Sequence, residues 1–593
     1  MLRTHTCGEL NKEHVGAQVK LCGWVDTVRD QGGLVFIDLR DRYGIVQVTI
    51  DAASSPEAAG LAHHARTEWV ICVKGEVVAR PADMVNPKLD TGEIEVTGAS
   101  VEILNQSPTP PFPLDDVKAA KVNEELRMAN RYLDLRRPSM QKKLRLRHKM
   151  THAIRSHFDQ LDFVEVETPI LTKSTPEGAR DYLVPNRITP GTFYALPQAP
   201  QQYKQLLMIG GLDKYFQMAR CFRDEDLRSD RQPEFTQIDL EMSFVEAEDI
   251  YGVIDGCLVA AMDAAGHPAP TLPIPRMTWQ TAMDDYGSDK PDTRFEMKLT
   301  NLSDMFAGTD FKVFGSVLKS GGVIKAINAK GLAGVPIRVI DEWTVLAKQH
   351  GMGGLAFIRV QEDGTWKSPI TKFFSETELA QLKEIMNIET GDLVLFAASK
   401  ASVVNPFLGA LRLQAAEQIE GMIPENLFNF TWVTDFPLFE ETEEGGMRPT
   451  HHPFTAPHPD DLALLETDPL KVRAQAYDVV LNGVELGSGS IRIHDSQLQG
   501  RMFELLKIAP EERESRFGHL LRALSFGAPP HGGIALGFDR LAMLMAGGET
   551  IRDVIAFPKN HKGIDLMMEA PSTVDQKQLD DVYIKLALPD DEV

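Results

Sequence analysis

Three observations predict a multidomain α+β fold. The first hundred residues read as short β-branched strands around one helix. A proline-rich stretch separates them from a helix with apolar spacing. Beyond it, strand and helix patterns alternate, with a shift of composition near residue 290. At 593 residues the chain has room for about three to five domains.

Strands are predicted at VKLCGWVDTV (19–28), LVFIDLRD (34–41) and IVQVTI (45–50), rich in β-branched and aromatic residues with turn residues between them. EAAGLAHHARTE (57–68) reads as a helix, and WVICVKGEVVA (69–79) and EIEVTGASVEIL (93–104) resume the strand pattern. Three strands, a helix and two strands fit an OB-fold barrel over 1–105, and another small β-barrel fits too. NQSPTPPFPLDD (105–116) lacks periodicity, so 106–140 is assigned to a linker or hinge. LRLRHKMTHAIRSHFDQLDF (144–163) has helical spacing and opens a larger domain, whose first part is placed at 141–290. The stretch 291–420, with lysine, glycine and alternating strand and helix patterns, reads as an inserted α/β domain. FNFTWVTDFPLF (428–439) returns to buried-strand character in the second part of the larger domain, 421–560. A C-terminal extension, 561–593, ends in the acidic LPDDEV, which is expected to fray.

Hydrophobic residues make up 43% and charged residues 25%, the balance of an ordinary globular chain. No run of apolar residues is long enough to span a membrane, and the N-terminus has no apolar h-region. Five cysteines without a CxxC pair argue against a disulfide framework and a zinc site, and fit a reducing cytoplasm. The net charge of −23, taken alone, argues against nucleic acid. Against it stands Arg131–Lys149, with eight basic residues and one acid, Asp134. That run fits either a local basic track or a solvated helix face.

Three segments carry chemistry. FVEVETPIL (163–171) alternates Val164, Val166 and Thr168 with Glu165 and Glu167, as a strand that Pro169 stops. CFRDEDLRSDRQPEFTQIDLEMSF (221–244) puts Gln237, Asp239 and Glu241 on one face of a strand, the pattern of a binding floor, and Arg223 suits a phosphate. HGGIALGFDRLAMLMAGGETIRDVIAFPK (531–559) offers Gly532, Gly533 and Gly537 for close approach. Asp539 can cap the helix that follows, and Arg540 in its first turn calls for a bound anion, because a cation is unfavourable at that end of the dipole.

In this order the three segments resemble motifs 1, 2 and 3 of class II aminoacyl-tRNA synthetases. The N-terminal barrel narrows the resemblance to the aspartate, asparagine and lysine subgroup. TPEGARDYLVP (175–185), ALPQAPQQYKQLLM (195–208), HHPFTAP (451–457), GSGSIRIH (487–494) and GFDRL (537–541) resemble the aspartate enzymes of bacterial type over essentially the whole chain. The fold implied is a multidomain α+β assembly: an OB-fold barrel, a class II antiparallel-sheet catalytic domain with helices, and the inserted α/β domain. The implied activity joins L-aspartate to tRNA(Asp), with ATP as substrate and Mg²⁺ as cofactor. The resemblance makes Arg223, Glu485 and Arg540 the catalytic set. It assigns Asp224, Glu225, Gln232, Gly537, Phe538 and Asp539 to ATP, with Glu225 and Gln232 on the adenine side. It assigns Asp478 and Glu485 to Mg²⁺. Glu177, in the mobile TPEGA loop, would close over the substrate amino group, and Gln201, Lys204, Asp239, His451 and Arg492 would surround the aspartate. The family's QSPQ run reads QAPQ here, so Ala199 removes one hydroxyl.

On the barrel, Phe36 would stack an anticodon base, with Arg29, Gln47 and Glu95 reading base edges. The tRNA-discriminating form carries leucine where this chain has Gln31, and a lysine in the loop RPADMVNP (80–87), which here holds Asp83. Their absence favours a relaxed form that also charges tRNA(Asn). Pro169 in motif 1 implies a homodimer. Outside the motifs each residue has a plainer role: Phe36 in the core, Asp239 and Glu241 as a structural charge pair, His451 in a loop, Lys204 in solvent. A strictly tRNA(Asp)-specific form, a non-catalytic RNA-binding paralogue and a tRNA-independent amide ligase remain alternatives. Lys204 and Arg492 suit a carboxylate side chain and suit an ammonium badly.

Overall fold

The computed structural model describes residues 1–175, 179–442 and 444–588. The chain forms two compact units: Met1–His148 with Leu227–Gln232 and Gly548–Val574, and Lys149–Asp226 with Pro233–Gly547 and Asp575–Val593.

The first unit holds strands β1 (Gln18–Gln31), β2 (Leu34–Arg40) and β3 (Ile45–Asp51), helix α1 (Pro56–His64), and strands β4 (Val70–Ala79) and β5 (Ile94–Asn105). They close into a barrel in the order β1-β2-β3-β5-β4, with β3 and β5 parallel. This is the OB-fold arrangement. In β2 the residues Val35, Ile37 and Leu39 are buried while Phe36 and Asp38 face outward, the period of two that a barrel wall requires. The β1–β2 turn is Gly32-Gly33, both at positive φ (61° and 98°), as a two-residue hairpin with this twist demands.

The stretch assigned to a linker or hinge, 106–140, contains the short helices Asp116–Ala119, Glu124–Ala129 and Arg131–Asp134. The basic run divides: Lys142, Arg145 and Lys149 are exposed on the helix surface, whereas Arg131 and Arg137 are buried. Asp134, fully buried, accepts from Arg131 Nη1 at 2.5 Å and Arg137 Nε at 2.7 Å. Arg131 spends its other N–H groups on the carbonyls of Arg552, Ile555 and Ala556. Arg136 pairs with the buried Glu68, and Lys143 with Asp553. Buried guanidiniums persist only when so paired.

The helix read at 144–163 is α2 (Pro138–Gln160). The second unit is organised on an eight-stranded sheet. Its members are β6 (Val164–Glu165), β7 (Lys214–Phe222), β8 (Glu234–Ser243) and β9 (Arg276–Thr278), followed after the insertion by four more. The insertion builds its own sheet from β10 (Thr300–Asn301), β11 (Val323–Ala329), β12 (Ala356–Val360), β13 (Trp366–Lys367) and β14 (Leu393–Ser399), in the order β10-β11-β14-β12-β13. Ile327 and Ala329 of β11 pack with Trp343, Phe407 and Leu411, whereas Ile324 and Ala326 pack with Phe314 and Leu382, so helices cover both faces. The main sheet continues with β15 (Phe430–Thr434), β16 (Ala476–Leu481), β17 (Val484–Ile491) and β18 (His531–Gly537). Its order is β9-β15-β16-β17-β18-β8-β7-β6, antiparallel except at the two outer pairs. The motif 1 strand is shorter than predicted: only Val164–Glu165 pairs, and both residues are exposed. Among the described residues no helix is long and apolar enough to cross a membrane.

Candidate active site

The floor of the site is β8. Gln237, Asp239 and Glu241 lie on one face, flanked by Ala219, Gln217 and Tyr215 of β7 and by Gly537, Ala535 and Gly533 of β18. Helix α3 (Gln201–Ile209) lays Lys204 across it. Lys204 Nζ lies 3.0 Å from Asp239 Oδ2 and 3.3 Å from Glu241 Oε2. Arg492, just past β17, closes its Nε and Nη2 onto the two Glu241 oxygens at 2.9 and 3.1 Å. All four charged side chains are essentially removed from solvent.

Their proton affinities follow from that burial. Burial pushes the Asp239 carboxyl up to about 6, with Lys204 pulling the other way. Burial also opposes ionisation of Glu241, but Arg492 and Lys204 outweigh it and hold that carboxyl below its ordinary value. Asp239 Oδ1 is buried with no hydrogen-bond partner, so the cluster keeps one acceptor open.

Arg492, expected to face the substrate carboxylate, has most of its donors already engaged. A guanidinium has five N–H donors. Nε and one Nη2 donor go to Glu241, and Nη1 reaches Ser490 Oγ at 2.7 Å and His452 Nε2 at 2.6 Å. One Nη2 donor is left over. Burial and Arg492 keep the pKa of His452 well below the usual histidine range, so its ring is neutral and can accept. Glu241, Ser490 and His452 are therefore part of the site, although the sequence assignment omitted them. Glu241 was visible in the same alternation as Asp239. A Cβ on Gly533 would stand 2.1 Å from Glu241 Oε2, which explains the glycine there. Gly537 has no such constraint, since nothing lies nearer than 3.4 Å to its Cβ position.

Of the residues expected to meet phosphate, Arg223 sits with its guanidinium carbon 5.1 Å from the Phe235 ring centroid, and its Nε is buried with no hydrogen-bond partner. Arg540, in the first turn of α4 (Phe538–Met545), donates to the Glu485 carbonyl at 2.9 Å. Asp539 does not cap this helix; Gly537 holds the cap position, and Asp539 Oδ2 accepts from Thr236 N–H at 2.8 Å. Phe538 is a core side chain, 1% exposed, so only its backbone can meet a nucleotide. Asp224 pairs with Arg180 at 3.3 Å, and Glu225 is half-buried. Gln232 belongs to the first unit, where its carboxamide accepts from Lys559 N–H at 2.7 Å and donates to Lys559 O at 3.0 Å. That edge is not open to a base. Gln201 donates to Gln205 at 3.2 Å, and Glu177 lies outside the described residues.

His451, Asp478 and Glu485 line a cavity of about 770 Å³, walled on another side by Lys290 and Tyr286. Burial and the neighbouring Asp478 raise the Glu485 carboxyl, while Arg540 and Lys290 oppose the rise. Asp478 Oδ1 makes no hydrogen bond, with His451 Nε2 3.5 Å away. Two adjacent hard-oxygen carboxylates, one with an unsatisfied buried oxygen, suit a divalent cation. Among the described residues no cluster of three or more His, Cys, Asp or Glu forms a cage, so most of the coordination would come from phosphate and water.

The barrel gathers its predicted residues on the outer face. Arg29 lies opposite Phe36 in the β1–β2 register, and Phe36 is opposite Thr49. Arg29 donates to Gln47 at 3.2 Å, and Gln47 to Glu95 at 2.8 Å. Phe36 is half-buried, and not a core residue. Gln31 is exposed at the hairpin end, and Asp83 is exposed in the short turn Ala82–Met84.

Residues 123–561 match the family model of class II tRNA synthetases (D, K and N), and residues 19–104 match that of OB-fold nucleic acid binding domains. A protein of Opitutus terrae is 53% identical over 597 residues, covering 100% of both chains, and one of Bacillus subtilis is 52% identical over 586 residues, covering 98% of both. Both are named aspartate–tRNA(Asp/Asn) ligase. Among solved structures, the asparaginyl-tRNA synthetase of Pyrococcus horikoshii complexed with asparaginyl-adenylate superposes with a TM-score of 0.59 at 18% identity, over 94% of this chain and 98% of that one. The aspartyl-tRNA synthetase of Entamoeba histolytica gives 0.58 at 18%, over 94% and 92%. At that identity the likeness concerns the fold.

Proposed function

The chain belongs to the class II tRNA synthetases of the D, K and N group, and on that premise we propose that it is an aspartate–tRNA ligase of relaxed scope, charging tRNA(Asp) and tRNA(Asn). The observation that carries the amino-acid assignment is the buried cluster of Lys204, Arg492, Asp239 and Glu241. Its formal charges cancel, so a lysine side chain gains nothing there, while the spare Arg492 donor and Lys204 favour a carboxylate. The open Asp239 Oδ1 suits the substrate ammonium. Gln31 and Asp83, and the names of the close relatives, support the wider tRNA scope.

The reaction needs no side-chain nucleophile. An oxygen of the aspartate α-carboxylate attacks the ATP α-phosphorus, and the bond to pyrophosphate breaks. The 3′-terminal ribose hydroxyl of the tRNA then attacks the acyl carbon and releases AMP. Two anions must meet in the first step. Arg223, with its unpartnered Nε, and Arg540 lower that barrier by supplying charge where it develops. Asp478 and Glu485 would hold Mg²⁺, which would supply positive charge against the phosphates. Phe36, Arg29, Gln47 and Glu95 form a stacking and edge-reading face suited to anticodon bases.

Two further features belong to the proposal. The chain pairs as a homodimer, since Val164, Ile170, Leu171, Leu183, Phe193 and Tyr194 are exposed close to motif 1; sedimentation should find a dimer at micromolar concentration. It works in the cytoplasm, in keeping with five free cysteines. The decisive experiment charges tRNA(Asp) and tRNA(Asn) transcripts with labelled aspartate, asparagine and lysine. Aspartate on both transcripts is expected. Aspartate on tRNA(Asp) alone would replace the relaxed form by the strict one, and charging with asparagine or lysine would refute the amino-acid assignment.

A further inference from the structure

Two of the five cysteines meet on the barrel wall. In the β1–β4 ladder Cys22 stands directly opposite Cys72. Val19, Leu21 and Val25 of β1, and Ile71, Val73 and Val77 of β4, belong to the barrel core. Strand alternation therefore puts Cys22 and Cys72 together on the outer face, with Lys20 and Trp24 beside Cys22.

The phase of the ladder decides how close they come. Val25 N–H donates to the Trp69 carbonyl at 2.9 Å, and Val77 N–H to the Ala17 carbonyl at 3.0 Å. The register between these two bonds runs from Gln18 to Trp24 without a shift. Hydrogen-bonded pairs thus fall at odd-numbered residues along β1, and Cys22 lies at a non-hydrogen-bonded pair. Side chains approach most closely at such pairs, where the Cα atoms are about 4.5 Å apart. A disulfide spans Cα separations of about 4.4–6.8 Å, so the bond can form with the strands in their present register. Both thiols are free. Burial and the Cys72 thiol push the Cys22 thiol up to about 11, against the charges of Lys20 and Arg3.

The two thiols differ in access. Cys22 is partly exposed, and its Sγ donates to the Leu2 carbonyl at 3.5 Å, whereas Cys72 is 3% exposed. Only Cys22 has to meet a reagent. Its sulfur attacks one sulfur of a small-molecule disulfide, forms a mixed disulfide and releases one thiol. Cys72, already opposite, then attacks Cys22 Sγ and releases the second thiol. The two protein protons leave on the two released thiols, so one disulfide is reduced as one is made. We propose that Cys22 and Cys72 are an oxidation site for small-molecule disulfides such as oxidised glutathione, closing reversibly into a cross-strand disulfide that locks the barrel. The lock follows from topology, since β1 and β4 are the pair that completes the closed barrel. With thiolate scarce at neutral pH, the pair closes under sustained oxidation and stays a dithiol in a reducing compartment. Cys7, the rival partner, lies on the other side of the wall, in the barrel core.

The test incubates the full chain with oxidised glutathione and maps it by mass spectrometry without reduction. The expected product has lost two hydrogens, carries a Cys22–Cys72 cross-link, and returns to its starting mass with dithiothreitol. Amide hydrogen exchange in β1 and β4 should slow in the oxidised chain. Cys72→Ala should stop at the intermediate, with one glutathione held on Cys22, and Cys22→Ala should stay unmodified at Cys72. Both variants should keep pyrophosphate exchange near wild type, which shows that they fold. A wild-type chain without the Cys22–Cys72 cross-link overturns the proposal, as does one that keeps glutathione on Cys22 or joins Cys22 to Cys7. Unchanged exchange in the cross-linked chain overturns the lock. The wild-type map decides even where a variant fails to fold.

Discussion

Replacing Lys204 with methionine isolates the charge logic of the aspartate pocket. Methionine keeps the unbranched stem and removes the cation. In the wild type, Lys204 Nζ stands 3.0 Å from Asp239 and 3.3 Å from Glu241, completely buried. Asp239 already titrates near 6 with Lys204 lowering it. Without that cation its carboxyl rises further and holds a proton at neutral pH, so the pocket stays near neutral with Arg492 committed to Glu241. The substrate side chain then meets only the one spare Arg492 donor, and its ammonium meets a neutral acid. Truncating one partner of a buried charge pair costs about 2–5 kcal/mol, which corresponds to a loss of about 30- to 5,000-fold in kcat/KM for aspartate. ATP affinity should change little, because Arg223 and Arg540, the residues proposed for the phosphates, are left in place. The assay is aspartate-dependent ATP–pyrophosphate exchange, with ATP binding measured separately. Near-normal kcat/KM for aspartate, or a comparable loss of ATP affinity, would refute the reasoning.

Asp239 also sets a pH limit: kcat/KM for aspartate should fall as pH drops through about 6, where the carboxyl that holds Lys204 takes up a proton. Its folded pKa lies above the unfolded value, so the same group makes the fold more stable as pH falls from about 6 towards 3.8; comparing denaturation of wild type and Asp239→Asn across that window checks the sign. Gly533→Ala places a Cβ 2.1 Å from Glu241 Oε2 and 2.2 Å from the Leu240 carbonyl. It should lower stability by about 1–3 kcal/mol through overpacking and damage aspartate activation, read by thermal melting and pyrophosphate exchange. Phe36→Ala should leave pyrophosphate exchange intact and weaken aminoacylation by the worth of one stacked base, about 1–3 kcal/mol; equal damage to both would make Phe36 structural.

Local patterns were legible in the sequence, and long-range partners were not. The barrel strands could be read because turn residues punctuate β-branched runs. The alternation of Gln237, Asp239 and Glu241 marked a sheet face because the strand period is two. Nothing local could show that Arg492 would spend its fork on Glu241, 251 residues away. The same limit misplaced Asp539, whose helix-cap position looked natural until the Thr236 N–H claimed it. The basic run from Arg131 was ambiguous because its partners, the carbonyls of Arg552, Ile555 and Ala556, carry no side-chain signature. The reason for Gly533 was invisible until the carboxylate packed against its Cα was known.

The order of the central sheet carries a consequence for synthesis. β8 finds one neighbour, β7, just before it in the chain, but the other, β18, is the last strand made among the described residues. Thr236 and Asp539, which join across that seam, are 303 residues apart. At about 5–20 residues per second, a ribosome needs roughly 15–60 s to cover that distance. During that interval the inserted unit, with its own sheet and two cores, can already fold, whereas β8 waits with one row of backbone donors and acceptors unpaired. Nascent chains stalled before residue 531 should therefore carry a folded insertion beside an aggregation-prone edge, and the pocket should appear only as the last strand emerges.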